Sequence, residues 1–217
     1  MHFEVLVEDV SGKTMLETLI PKIIGEEHSF RVIAYKGVGH LPRSMKTASE
    51  AQNRALLNQL PRLLKGYGKS FPKGGDYPTA VVLVCDLDDK CLKAFREELY
   101  SILEQCNPKP LTRFCIAVEE GEAWYLGDIS AVKDAYPNAK DAVLRAYEPD
   151  SVIGTWERLA DAVYNGGAAA LKSKRGHLVG KEKSEWAKNI SPYMNVDENR
   201  SPSFIHFREK LRELILA

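Results

Sequence analysis

The stretch Ala80–Lys90, AVVLVCDLDDK, decides the fold. It opens with six apolar residues, three of them valine, and closes on three aspartates. An unbroken β-branched run ended by a polar cluster suits a strand covered on both faces, as in a parallel sheet. This predicts a strand over Ala80–Cys85. Three similar runs lie around it: Phe3–Val7 (FEVLV), Phe30–Tyr35 (FRVIAY) and Arg113–Val118 (RFCIAV). Between them the apolar period changes. Lys90–Cys106 places Leu92, Phe95, Leu99, Ile102, Leu103 and Cys106 three and four residues apart, the stripe of an amphipathic helix. Thr47–Leu64 has a similar stripe. Ser11–Ile24 is a shorter helix that Pro21 is expected to kink or restart. Strands alternating with helices predict βαβ units and an α/β fold with a mostly parallel four-stranded sheet.

Gly66–Tyr77 reads as a Gly- and Lys-rich loop. Beyond about residue 128 the pattern is helical: Asn138–Tyr147, Thr155–Tyr164, Lys181–Ile190 and Pro202–Leu216. The last starts with Ser201 as N-cap and Pro202 in the first turn. Asn165–Lys183, basic and Gly-rich, reads as a mobile connection. The expected organisation is an α/β core over 1–128 and added C-terminal helices over 129–217 packed on it.

Of the 217 residues, 44% are hydrophobic and 28% charged, which supports a sizeable core and excludes a disordered chain. Thirty basic residues balance thirty acidic ones, so no global charge argues for nucleic acid; that case rests on local clusters. One cluster is Lys65, Lys69 and Lys73. The other is Lys172, Lys174, Arg175, Lys181 and Lys183. Cys85, Cys91, Cys106 and Cys115 form no CxxC pair, which argues against zinc and for reduced thiols. With no membrane-length apolar run and no signal-peptide pattern, a cytoplasmic protein is expected.

The tripeptide Gly12–Thr14 invites a phosphate-loop reading. Such a loop needs a glycine five residues before Gly12, and Val7 stands there, inside a strand. The alternative is a strand-to-helix turn in which Ser11 caps, Gly12 turns and Lys13 is solvated. Lys36–His40 (KGVGH) likewise lacks the third glycine and the helix start of a dinucleotide site.

The carboxylates carry more. Glu8 follows the first strand, and Asp86 and Asp88 follow the third, at the strand ends where open α/β sheets bind ligands. In extended chain, Asp86 and Asp88 point the same way. Three converging carboxylates repel one another, and a divalent cation resolves that; hard oxygen donors select Mg²⁺ or Mn²⁺. Helix capping by Asp88 or Asp89 is the competing explanation, and it accounts for only one aspartate.

The stretches FEVLVED (Phe3–Asp9), VVLVCDLDD (Val81–Asp89), FCIAVEEGEAWYLGD (Phe114–Asp128) and SPSFIHF (Ser201–Phe207) together resemble the Toprim-fold family. More specifically they resemble small stand-alone Toprim-like proteins related to OLD-type nucleases. Asp9 stands where that family usually has glycine. The resemblance implies a metal-dependent nuclease cleaving DNA or RNA. Glu8 would act as general acid/base and share the metal with Asp86 and Asp88. It also implies a second metal position drawn from Glu119, Glu122 or Asp128, with Glu122 favoured. An OLD-type lysine would be Lys181 or Lys183, with Lys181 taken as the catalytic one. The implied setting is an anti-phage defence effector with an ATPase partner. The alternative is a non-catalytic module of the same fold that binds nucleic acid or an ATPase. A haloacid-dehalogenase-type phosphatase also starts from DxD, but it wants Thr or Val where Lys90 stands. His40, His177 and His206 are isolated and read as structural or solvated. Trp124 and Tyr125 read as core residues.

Overall fold

The computed structural model describes residues 1–37, 39, 55–71, 77–151, 154–174 and 176–216, with backbone alone at 176 and 177. His40, the expected helix before residue 55, Lys73, Arg175 and the side chain of His177 lie outside the described residues. Strands β1 (His2–Val7), β2 (Ser29–Ala34), β3 (Thr79–Asp86) and β4 (Thr112–Ala117) form one sheet in the order β2-β1-β3-β4. Every pairing is parallel. The connecting helices are α1 (Val10–Ile24), α2 (Leu56–Ser70) and α3 (Leu92–Glu104). After β4 come α4 (Glu122–Leu126), α5 (Ile129–Ala135), α6 (Asp141–Arg145), α7 (Thr155–Val163), α8 (Gly167–Lys172), α9 (Gly176–Ile190) and α10 (Pro202–Leu216). The fold is α/β, a parallel sheet flanked by helices with further helices at the C-terminal end.

Alternation of side chains along each strand divides the core in two. Phe3, Val5, Val82, Val84 and Cys115 face one layer, which also contains α1 and residues of the C-terminal helices such as Trp186, Phe204 and Leu211. Leu6, Val81, Leu83, Phe114 and Ile116 face the other, with Leu60 of α2 and Leu99 of α3. One hydrophobic cluster therefore runs across the expected boundary at residue 128, and the added helices complete one face of the sheet. Trp124 shows how they are locked on. It is fully buried, stacks on Phe207 at 5.0 Å between centroids, and donates from Nε1 to Ser203 Oγ at 3.0 Å. Truncating such a residue costs about 3–5 kcal/mol.

Several local expectations give way to packing. α1 runs through Pro21 without a break. Its N-cap is Asp9, which accepts from Gly12 N at 2.7 Å, and Ser11 donates to Asp9 rather than capping. Lys13 pairs with Glu17 on the surface. α2 continues to Ser70, into the stretch read as a loop. Gly68 is needed there because a Cβ would collide with the Pro108 carbonyl oxygen. Asn165–Lys183 is not a bare connection: α8 buries Ala168 and Leu171, and α9 begins at Gly176. Neither Asp88 nor Asp89 caps α3, whose first helical residue follows Cys91. Ser201 does receive the Phe204 amide, as expected of an N-cap. The four cysteines are free thiols, and all but Cys91 are buried. Among the described residues no helix is long and apolar enough to cross a membrane.

Candidate functional site

The strand order reverses between β1 and β3, which opens a crevice at their carboxyl ends. The register pairs Val7 with Val84 and Asp86 with Ala117. Continued past Val7, that register sets Glu8 opposite Cys85, one residue before Asp86, at the ends of adjacent strands. The Glu8 carboxyl is in hydrogen-bonding contact with Asp86. Burial pushes the Glu8 carboxyl up to about 7, and the charges of Asp9 and Asp88 push the same way. Burial also holds Asp86 well above the usual carboxylate range, reinforced by Glu8 and Glu122. One oxygen, Glu8 Oε2, is buried and has no hydrogen-bond partner among the described residues.

Glu122 opens α4 and is 5% exposed. Its Oε2 lies 3.2 Å from Lys183 Nζ, and the same ammonium is 3.0 Å from Glu120 Oε1. Lys183 arrives on α9, which packs against α1. Burial alone would lower its pKa, but the carboxylates of Glu122, Glu120 and Asp86 outweigh burial and keep it charged. Glu8, Asp9, Asp86, Glu122, Tyr125 and Lys183 line a cavity of about 30 Å³. That volume suits one water or a small ion.

The remaining expected residues lie elsewhere. Asp88 has φ +52°, so the chain turns where an extended DxD was expected, and Asp86 and Asp88 do not share a direction. The Asp88 carboxylate is exposed and pairs with Lys90 at 3.2 Å, although its charge still reaches Glu8. Glu119, at φ +64°, accepts from the amides of Gly154 and Thr155 and caps α7. Asp128 accepts from Ala131 N at 3.0 Å, capping α5, and from Asn195 N at 2.8 Å. Both acids are fully engaged as caps. Lys181 is exposed on α9, two residues from Lys183; that spacing places them on different helix faces, and Lys183 reaches the carboxylates. Glu120 was not singled out by the sequence, since nothing in the run Glu119–Glu122 separates it from Glu119.

Among the described residues no three His, Cys, Asp or Glu side chains are placed together as a metal-holding group. The donor chemistry nonetheless suits a divalent cation. Two carboxyls touch, one buried oxygen is orphaned, and the cavity is ion-sized. The third donor, Glu122, is held by Lys183. A family model described as a domain of unknown function (DUF4276) matches residues 7–212. No curated protein and no solved structure matches the chain.

Proposed function

We propose, for a chain that belongs to the DUF4276 family, that the Glu8–Asp86 pair is the centre of a divalent-cation-dependent phosphodiesterase acting on nucleic acid. The carrying observation is the contact of these two carboxyls at the switch point of the sheet, with Glu8 Oε2 left without a donor. Mg²⁺ or Mn²⁺, when bound, supplies an activated water and offsets charge on the phosphoryl oxygens. The donors would be Glu8, Asp86 and, released from Lys183, Glu122. Without the cation, burial pushes Glu8 up to about 7; a bound dication would favour its carboxylate, the form that a general base needs. Lys183, freed by the same rearrangement, faces the phosphate with its ammonium. A cavity of about 30 Å³ admits no nucleotide, so the scissile phosphate lies across its mouth and the chain of nucleotides runs outside. The Toprim resemblance supports the nuclease assignment and the defence setting with an ATPase partner. The buried free thiols support a cytoplasmic setting.

One observation favours a second reading, a non-catalytic module that binds nucleic acid or an ATPase. Lys183 already offsets the charge of Glu120 and Glu122. Incubating the protein with plasmid or single-stranded RNA, with and without Mn²⁺, separates the two. Divalent-dependent cleavage that disappears in Glu8→Ala supports the hydrolase. Cleavage indifferent to Glu8→Ala overturns it. Binding without cleavage in both proteins supports the module.

A further inference from the structure

β4 is an edge strand, and a groove of about 410 Å³ lies beside it, between α3 and α10. Its volume falls within the range of small-molecule sites, about 300–1,000 Å³. Leu92, Phe114, Ile116 and Val118 give it apolar walls, and Leu92 is 38% exposed. Two nitrogen-bearing side chains enter it, Arg96 from α3 and His206 from α10. Arg96 is half-buried, and no carboxylate pairs with it among the described residues. The groove also contains an acid, Asp150, whose two oxygens each accept a hydrogen bond from α10 or its cap. Oδ1 accepts from Ser201 Oγ at 2.8 Å and Oδ2 from Ser203 N at 2.6 Å. Those bonds fasten the start of α10, and among the described residues no ion pair joins Asp150 to Arg96. Burial lowers the pKa of His206, with Arg96 and Lys210 acting the same way, so the imidazole is neutral and offers a hydrogen bond rather than a charge.

An apolar trough with one unpaired guanidinium complements a molecule with an apolar body and one carboxylate, since a carboxylate takes two parallel bonds from arginine. We propose that this groove binds a small amphipathic carboxylate. Its carboxylate would lie on Arg96, its body along Leu92, Ile116 and Val118, and His206 would be a second polar contact. The inference is independent of the Glu8–Asp86 chemistry, because the two sites share no residue.

Octanoate is the probe, titrated into the full chain and followed by heteronuclear NMR. The expected result is saturable one-to-one binding that shifts resonances of Leu92, Val118 and His206. Acetate, lacking the body, and octylammonium, with the opposite charge, produce no such shifts. Arg96→Gln weakens binding by at least about tenfold, the worth of a charged hydrogen bond. Leu92→Glu, at an exposed position, weakens it as well, and circular dichroism of both variants checks that they fold. No saturable binding to the wild type, equal binding of octylammonium, or full affinity in a folded Arg96→Gln each overturns the proposal.

Discussion

The protein uses two groups of its acids oppositely. Glu119 and Asp128 accept from backbone amides and hold the starts of α7 and α5. Their charge is answered by helix ends, where a carboxylate is stabilising. Glu8 and Asp86 face each other and bury an oxygen that no donor meets. Structure alone gives no reason to place two carboxyls there. The difference teaches that an acidic residue near a sheet edge is read from its donors: the satisfied acid is scaffold, and the orphaned one is a candidate for chemistry.

The largest effect expected from breaking this contrast comes from Lys183→Met. It leaves Glu120 and Glu122 without their shared ammonium, and losing one partner of a buried pair costs about 3–5 kcal/mol. Urea denaturation measures the loss. Added Mg²⁺ restores part of it if the orphaned group takes a cation, and no recovery would undo that assignment.

Next in size is the pH dependence of stability. The folded protein holds the Glu8 proton up to about 7, against an ordinary 4.5. It therefore binds that proton more tightly than the unfolded chain does. The resulting stability is complete below about pH 4.5 and is lost as pH rises to about 7. At about 1.4 kcal/mol per unit this amounts to at most about 3 kcal/mol. Asp86, raised as well, adds in the same direction. Thermal melts of the wild type should fall across this window, and those of Glu8→Gln should flatten.

Asp128→Ala tests the scaffold side. Two backbone donors lose their acceptor, for a cost of about 2 kcal/mol in thermal or chemical denaturation. Cation binding by the folded variant, followed by calorimetry, should be unchanged; a loss there would move Asp128 into the other group.

The smallest effect is expected from Asp88→Asn. The exposed Asp88–Lys90 pair contributes less than about 1 kcal/mol. Mn²⁺ affinity decides its place: a tenfold fall would put Asp88 with Glu8 and Asp86 despite its turn away from them.

Legibility in the sequence followed the range of the interaction. The apolar runs marked all four strands to within one residue at each end, because period and β-branching are local properties. Glu8 and Asp86 were legible for the same reason, as each is the first acid at the end of such a run. The direction of Asp88 was not legible because it depends on one backbone angle, φ +52°, that alternation does not encode. Lys181 and Lys183 looked alike until the helix starting at Gly176 set which of them faces inward. Glu120 could not be told from Glu119 because both accept from the distant start of α7, and only Glu120 also reaches Lys183.

The order of apolar and polar residues by itself determined a parallel α/β sheet and the two acids at its rim, since both follow from short-range periodicity. Only the tertiary structure decided which acids are neutralised, by what, and which are left exposed to each other. That decision rests on helix ends and an ammonium brought from distant segments, and charge compensation between remote groups leaves no periodic trace in the chain.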